Sequence, residues 1–291
     1  MGAGTTAPSS SPAVLRRWIA LELKRLRKAS GHRQRDAAER IGRTHQQVAN
    51  QEAAKSLPSQ SDLEVLLDHY GVPDRVEFMV ELLTAAKKRK DWWAHLSGAA
   101  PEWFDLFLGL EAGAAELGSF DALLVLGLLQ TRAYADSVIR ADTDLTDDEV
   151  QQRLELRIGR QRILDREDEP VRLWTVLDES VLYRQRGGPD VMREQLAHLL
   201  SMSERPRIDI QVLPLNAGAH QAEQCGTFTV MKFPHEMNDP GIVYIESIDN
   251  GEYLQEPHEV ELYERALQRV RALAATPDES RAIIERAMKE V

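Results

Sequence analysis

The spacing of apolar residues changes character once along this chain, near residue 101. Before that point they recur only at three- and four-residue intervals, as in Leu15, Ile19, Leu23 and Leu26, which is the stripe of an amphipathic helix. Beyond it, helical stripes are interleaved with short runs that alternate polar and apolar residues and are rich in β-branched side chains, the pattern of strands. A chain written this way folds as an all-α N-terminal region followed by a larger α+β domain. Its 291 residues are long for one core and comfortable for two domains.

The first 73 residues read as short helices separated by turn glycines. Residues 1–13, small and polar, are expected to be a disordered tail. A helix is expected over 14–29, with Gly31 as its left-handed cap. A second runs from Gln34 to Ile41, where Ala37 and Ala38 let a neighbour approach closely, and Gly42 supplies the turn. Thr44 opens a third as the start of a capping box, with its hydroxyl on the Gln47 amide and the Gln47 side chain reaching back. A fourth begins near residues 58–61, with Ser61 to Glu64 as a second capping box, and stops at Gly71.

The third helix, "THQQVANQE", poses a problem. It offers only Val48 and Ala49 to a core, while His45, Gln46, Gln47, Asn50 and Gln51 carry uncharged hydrogen-bonding side chains. Such a helix faces solvent or a partner that reads donors and acceptors. Charge narrows the choice. Residues 1–90 hold sixteen Lys/Arg against ten Asp/Glu, a surplus of +6; with −11 overall, residues 91–291 carry −17. A basic head on an acidic body points to an anionic partner for the head alone.

Gln34, Ala38, Gly42, Val48 and Glu52, in that spacing, resemble the helix-turn-helix of the Xre/phage-repressor family. The resemblance implies a DNA-binding domain over 14–73, followed by a helical joint over 74–101. It implies double-stranded DNA as partner, with the third helix in the major groove. Thr44, His45, Gln46, Gln47 and Asn50 are then expected at the DNA, since Gln and Asn suit adenine as bidentate partners. Gln34 matches the family glutamine that fixes a phosphate. Arg33, Arg35, Arg43 and Lys55 are expected on phosphates, where they position without specifying. Three positions depart from the family: Gln51 stands where an apolar core residue is usual, Asn50 where a basic one is common, and Ala54 in place of a frequent glycine.

The joint carries a helical stripe over 74–90 ending in "KKRK", then "DWWAHLSGAAPEW", where Trp92, Trp93 and Trp103 are expected to seal the domain joint. In the body, residues 102–291, helices are expected at "PEWFDLFLGLEAGAAEL", "TRAYADSVIRA", "TDDEVQQRLELRIGRQRIL" (a capping box from Thr146 to Glu149), "DVMREQLAHLLSM" and "TPDESRAIIERAMKEV". Strands are expected at "SFDALLV", "VRLWTVLDE", "RIDIQVLP", "GTFTVMKF" and "GIVYIES", which makes a mixed sheet of about five strands.

The phrases "VLGLLQTRAYADSVIRA", "LRIGRQRIL", "LDESVLYRQRGG", "MREQL", "DIQVLPLNAGAH", "GTFTV" and "VYIES" resemble the C-terminal domain of actinobacterial Xre-type regulators of the toxin–antitoxin-like, WhiJ-like kind. Leu126 stands where that family usually has proline. The resemblance implies a transcriptional regulator whose body senses a small molecule or a small protein encoded nearby, and it is expected to be a homodimer. Gln130, Arg157, Arg160, His220 and Glu246 are the expected ligand or partner contacts. Beside this reading stand an antitoxin-like protein acting mainly by sequestering a partner, and an enzyme tethered to DNA.

For catalysis the sequence offers little. No Walker A, GxGxxG, GxSxG, HExxH or CxxC pattern occurs. His220 and the single cysteine, Cys225, form a conceivable nucleophile pair, and Glu179, Glu246 and Asp249 a conceivable metal group. Neither has a pattern to support it, so no catalytic residue, metal or cofactor is expected. Arg153, Arg157 and Arg160 share a helical stripe that can hold an anion. One cysteine rules out an intrachain disulfide and fits a reducing compartment. No targeting segment is visible, and the longest apolar run, residues 122–129, is too short to span a bilayer. A cytoplasmic, nucleoid-associated protein with no membrane partner is expected.

Overall fold

The computed structural model describes residues 11–88, 93, 96, 98–234 and 239–291. It divides into two compact units, one of residues 1–94 with 233–239, the other of residues 95–232 with 240–291. The expected tail lies outside the described residues up to residue 10, as do Trp92 and the last two residues of "KKRK".

The first unit is helical. Helix α1 spans Pro12–Ala29, two residues longer at its start than its stripe indicates, because Ser11 caps it and Pro12 fits its first turn. It is followed by α2 (Gln34–Arg40), α3 (His45–Glu52), α4 (Gln60–His69) and α5 (Val76–Lys88). The Thr44–Gln47 capping box is present. The Ser61 box is not: Ser59, two residues earlier, accepts from the Asp62 amide and starts α4.

Four of these helices end alike. Gly31, Gly42 and Gly71 follow α1, α2 and α4 in the left-handed conformation, and the next amide bonds back five residues, as from Arg43 to the Ala38 carbonyl. After α3 the same role falls to Ala54, with φ +59° and a bond from the Lys55 amide to the Asn50 carbonyl. The core gathers Leu15, Ile19, Leu23, Ala37, Val48, Leu63, Leu67 and Leu82, all buried. Trp93 is buried in this unit as well. Arg17 makes a two-point ion pair with Asp239 at 2.6 and 2.9 Å.

The second unit is built on a six-stranded mixed sheet in the order β3-β2-β1-β4-β5-β6. The strands are β1 (Glu116–Asp121), β2 (Arg172–Asp178), β3 (Ile208–Leu213), β4 (Phe228–Lys232), β5 (Ile242–Glu246) and β6 (Gly251–Leu254). Strands β1, β2 and β3 run parallel, and β4, β5 and β6 continue antiparallel from β1. The helices are α6 (Glu102–Ala112), α7 (Arg132–Ile139), α8 (Asp147–Arg160), α9 (Ser180–Tyr183), α10 (Pro189–Met202), α11 (Pro257–Leu273) and α12 (Pro277–Glu290).

Three features correct the expected pattern. Helix α6 stops at Ala112, before Gly113, so that "ELGSFD" becomes β1, and "ALLV" leaves the sheet as a loop. Strand β6 and helix α11 are additional. Helix α11 packs Val260, Leu267 and Val270 against Phe120, Val176, Val230 and Val243 on one face of the sheet. Gly118 allows that approach: a Cβ there would lie 2.8 Å from Leu267 and 2.9 Å from Arg271. Because strand residues alternate in direction, Ser119, Asp121, Thr175 and Tyr244 point to the opposite face. There Phe107 of α6 meets the Tyr244 ring at 4.3 Å, and the Trp103 carbonyl accepts from the Tyr253 hydroxyl at 2.8 Å.

Candidate functional site

In the first unit, α3 is fixed from behind and open in front. Arg27 on α1 grips Glu52 through Nε and a terminal nitrogen, at 2.6 and 2.8 Å, and the Gln34 side-chain amide donates to the same carboxylate at 2.8 Å. One carboxylate thus ties α1, α2 and α3 together. Gln34, matched in sequence to a phosphate contact, has its amide nitrogen committed to Glu52. Val48 is buried, whereas Thr44, His45, Gln46 and Gln47 are exposed and Asn50 is half-buried.

The exposed side chains are partly ordered by one another. The Gln47 side-chain oxygen accepts from the Thr44 amide at 2.9 Å, so the cap occupies it. Gln46 donates to Asn50 one turn on, at 3.0 Å, which presents the two amides as a pair. Arg33, at the start of α2, and Lys55, just past the end of α3, are exposed. Arg43 is exposed but leans on Asp62 at 3.1 Å, and Arg35 on Glu39 at 3.2 Å. Gln51 is buried at 7% exposure, and its Oε1 has no hydrogen-bond partner among the described residues.

In the second unit a cavity of about 250 Å³ opens at the carboxyl end of β1. This is where the parallel half of the sheet gives way to the antiparallel half, a place where α/β sheets tend to leave a crevice. Gln130, Arg157, Arg160 and Glu246 all line it. His220 does not: it stands edge-on to Phe120 at 5.3 Å, with Nε2 3.6 Å from Glu223.

The arginine stripe of α8 is divided among three tasks. Arg153 pairs with Asp142 at 3.4 Å near the surface. Arg160 is neutralised by Glu111 through two bonds of 2.8 Å and lies over the rings of Phe104 and Phe107. Arg157 donates to the Gln130 side-chain oxygen at 3.1 Å. Burial, then repulsion from Arg160, lowers the Arg157 pKa to about 10, with Glu246 acting the other way.

Gln130 is buried and mainly organises the loop. Its amide nitrogen donates to the Val125 carbonyl at 2.6 Å. Gln161 holds the Gly127 and Gln130 carbonyls, and Gln195 holds the Leu129 carbonyl and the Thr131 amide. The loop is pinned by three glutamines, none of whose roles is visible in a linear pattern.

Sequence reasoning passed over Asp121. It ends β1, is 4% exposed, and lines the cavity. Burial raises its pKa to about 6, against the hydroxyls of Ser119 and Thr175, which donate to it at 2.6 and 2.8 Å. The signal available was a carboxylate at the end of a strand. Burial also raises the Tyr244 pKa, and its hydroxyl donates to Glu246 at 3.2 Å.

The Cys225 pKa is raised by burial, and its thiol donates to the Ala222 carbonyl at 3.4 Å, an arrangement that disfavours the reactive thiolate. Glu179 accepts from the Leu215 amide and Asp249 from Ser247. Among the described residues no group of three or more His, Cys, Asp or Glu is placed to hold a metal ion. No described helix is long and apolar enough to cross a membrane.

Comparison with known proteins gives two matches. Residues 18–78 match the family described as a helix-turn-helix domain, a span that runs from within α1 to the start of α5. Residues 104–286 match the family described as a domain of unknown function, DUF5753. No curated protein and no solved structure matches the chain. The second match spans more than half of the 291 residues and takes in every strand of the sheet and the whole lining of the cavity, and so the chain belongs to the DUF5753 family, with a helix-turn-helix domain at its N-terminal end.

Proposed function

We propose that this protein is a sequence-specific DNA-binding transcriptional regulator of the Xre, WhiJ-like kind, whose second unit senses an effector. The observation that carries the reading is α3. It is locked from behind by the Arg27–Glu52–Gln34 cluster, and its exposed face offers His45, Gln46 and Asn50 but no apolar stripe. The helix-turn-helix match over 18–78 and the +6 surplus of residues 1–90 support it. In this reading Gln46 and Asn50 read base edges, while Arg33, Arg43 and Lys55 sit on phosphates.

The sensing role rests on the cavity lined by Gln130, Arg157, Arg160 and Glu246. An effector there acts only by binding the DNA-competent and incompetent states unequally, since equal affinity shifts nothing. A homodimer placing two heads on half-sites, a cytoplasmic location and a small partner protein belong to the same reading.

The test is retardation of random-sequence duplex DNA by the full chain across a salt series. Neutralising Z phosphates gives a slope of log K on log salt of about −0.9Z. A slope of about −3 or steeper is expected, and binding that is absent or indifferent to salt contradicts the reading.

A further inference from the structure

We infer that the cavity at the carboxyl end of β1 is a binding site for a small organic anion with an aromatic or apolar body, its anionic group held by Arg157. The inference deepens the sensor reading above and rests on it for its biological meaning.

The first support is charge pairing. Each of the three arginines on the α8 stripe has a partner, but the partners differ in kind. Arg153 and Arg160 have carboxylates, at 3.4 and 2.8 Å. Arg157 has only the neutral side-chain oxygen of Gln130, bonded through one terminal nitrogen, and no carboxylate within 4 Å among the described residues. A guanidinium carries five donors in a planar fork suited to two parallel bonds to a carboxylate or phosphate. One bond to an amide leaves most of that capacity open on the cavity side. Arg157 is half-buried, so its remaining donors still meet solvent and are open to a ligand that enters the cavity.

The second support is the wall. Phe104 and Phe107 stack at 4.9 Å, and Phe107 meets Tyr244 at 4.3 Å, giving the cavity an aromatic side. Leu123, which also lines the cavity, is 62% exposed, an apolar residue left uncovered. The volume of about 250 Å³ is near the lower end for small-molecule sites, which run about 300–1,000 Å³.

The third is preorganisation. The Gln161 and Gln195 bonds fix the loop that carries Gln130, and Gln130 in turn orients Arg157. A site whose donor is already held in place loses little freedom on binding. Glu246, in the same cavity, repels an anion and selects for ligands whose negative group reaches Arg157 without meeting it.

The experiment uses the full chain and matched pairs that differ only in the charge of the head group: benzoate and benzamide, phenylacetate and phenylacetamide, indole-3-acetate and indole-3-acetamide. Affinity is measured by calorimetry and by ligand-observed NMR. At least one acid is expected to bind ten times or more tightly than its amide. Arg157→Gln, checked for folding by circular dichroism, is expected to abolish that preference, and Glu246→Gln to strengthen acid binding. The comparison of acid with amide in the unaltered protein needs no variant, so a misfolded Arg157→Gln does not spare the inference. Acids and amides binding equally, or no acid binding, overturns it, as does a folded Arg157→Gln that keeps the preference. DNA retardation with and without the bound acid tests the other layer. Unchanged retardation contradicts the sensor reading and leaves the anion site standing.

Discussion

Arg27 holds Glu52 through both carboxylate oxygens, at 2.6 and 2.8 Å, with both side chains less than a tenth exposed. The pair joins α1 to the last residue of α3. It fixes how the polar helix is presented, although neither residue faces outward. Glu52→Ala leaves the guanidinium buried without its counter-charge, and such a loss costs about 3–5 kcal/mol. Hydrogen exchange at the α3 amides is expected to accelerate accordingly. Exchange within a factor of three of the parent would show that the pair does not hold the helix.

Ala54 occupies a left-handed position that glycine fills after α1, α2 and α4. A Cβ in that conformation costs about 1 kcal/mol or more. Ala54→Gly is therefore expected to stabilise the first unit by about 1 kcal/mol, seen as a higher denaturant midpoint for the loss of its helical signal. A destabilised variant would show that the strain is absorbed elsewhere.

Gln51 is buried with an unbonded side-chain oxygen. An unsatisfied buried acceptor costs about 1–3 kcal/mol. Gln51→Leu or Gln51→Met removes that cost while keeping the volume close, so both are expected to raise stability without altering DNA affinity by more than about twofold. Weakened DNA binding in both variants would instead place Gln51 at the interface.

Asp121 carries a pH signature. Its pKa is about 6 in the folded chain against an ordinary 3.8, so the folded state binds the proton more tightly. A raised carboxylate pKa means that stability is greatest below the unfolded value and is lost as pH rises through the folded one. The difference between those two pKa values is worth about 3 kcal/mol at most. Unfolding free energies of the parent and of Asp121→Asn, measured between about pH 4 and pH 7.5, are expected to diverge in favour of the variant as pH rises and to run parallel above about pH 7. Parallel curves throughout would mean that Asp121 titrates normally.

Much of the architecture was written locally. The Thr44 and Thr146 caps were legible because a capping box is four consecutive residues, and both are present. The α+β class followed from the change in period. Strand β1 was misplaced because Gly118 and Ser119 have little strand propensity, and the more apolar "ALLV" beside them looked the better strand. Helix α11 buries only Val260, Ala266, Leu267 and Val270, a thin stripe in an otherwise polar segment. Strand β6 is four residues long, and only its pairing with β5 defines it. At the cavity, the arginine stripe could be read from spacing. That Glu111 neutralises Arg160 while Arg157 meets only Gln130 could not, because those partners lie 49 and 27 residues away.

The central claim is that α3 reads DNA sequence, and selection of bound duplexes from a random pool by the full chain tests it most directly. The account expects a recurrent enriched motif. Gln46→Ala should relax it at one base pair, at a cost of about 1–3 kcal/mol for the preferred base, and Arg43→Ala should weaken all sequences alike while preserving the motif. A pool that emerges without any enriched motif, or a motif unchanged by substituting Gln46 and Asn50 together, would contradict it.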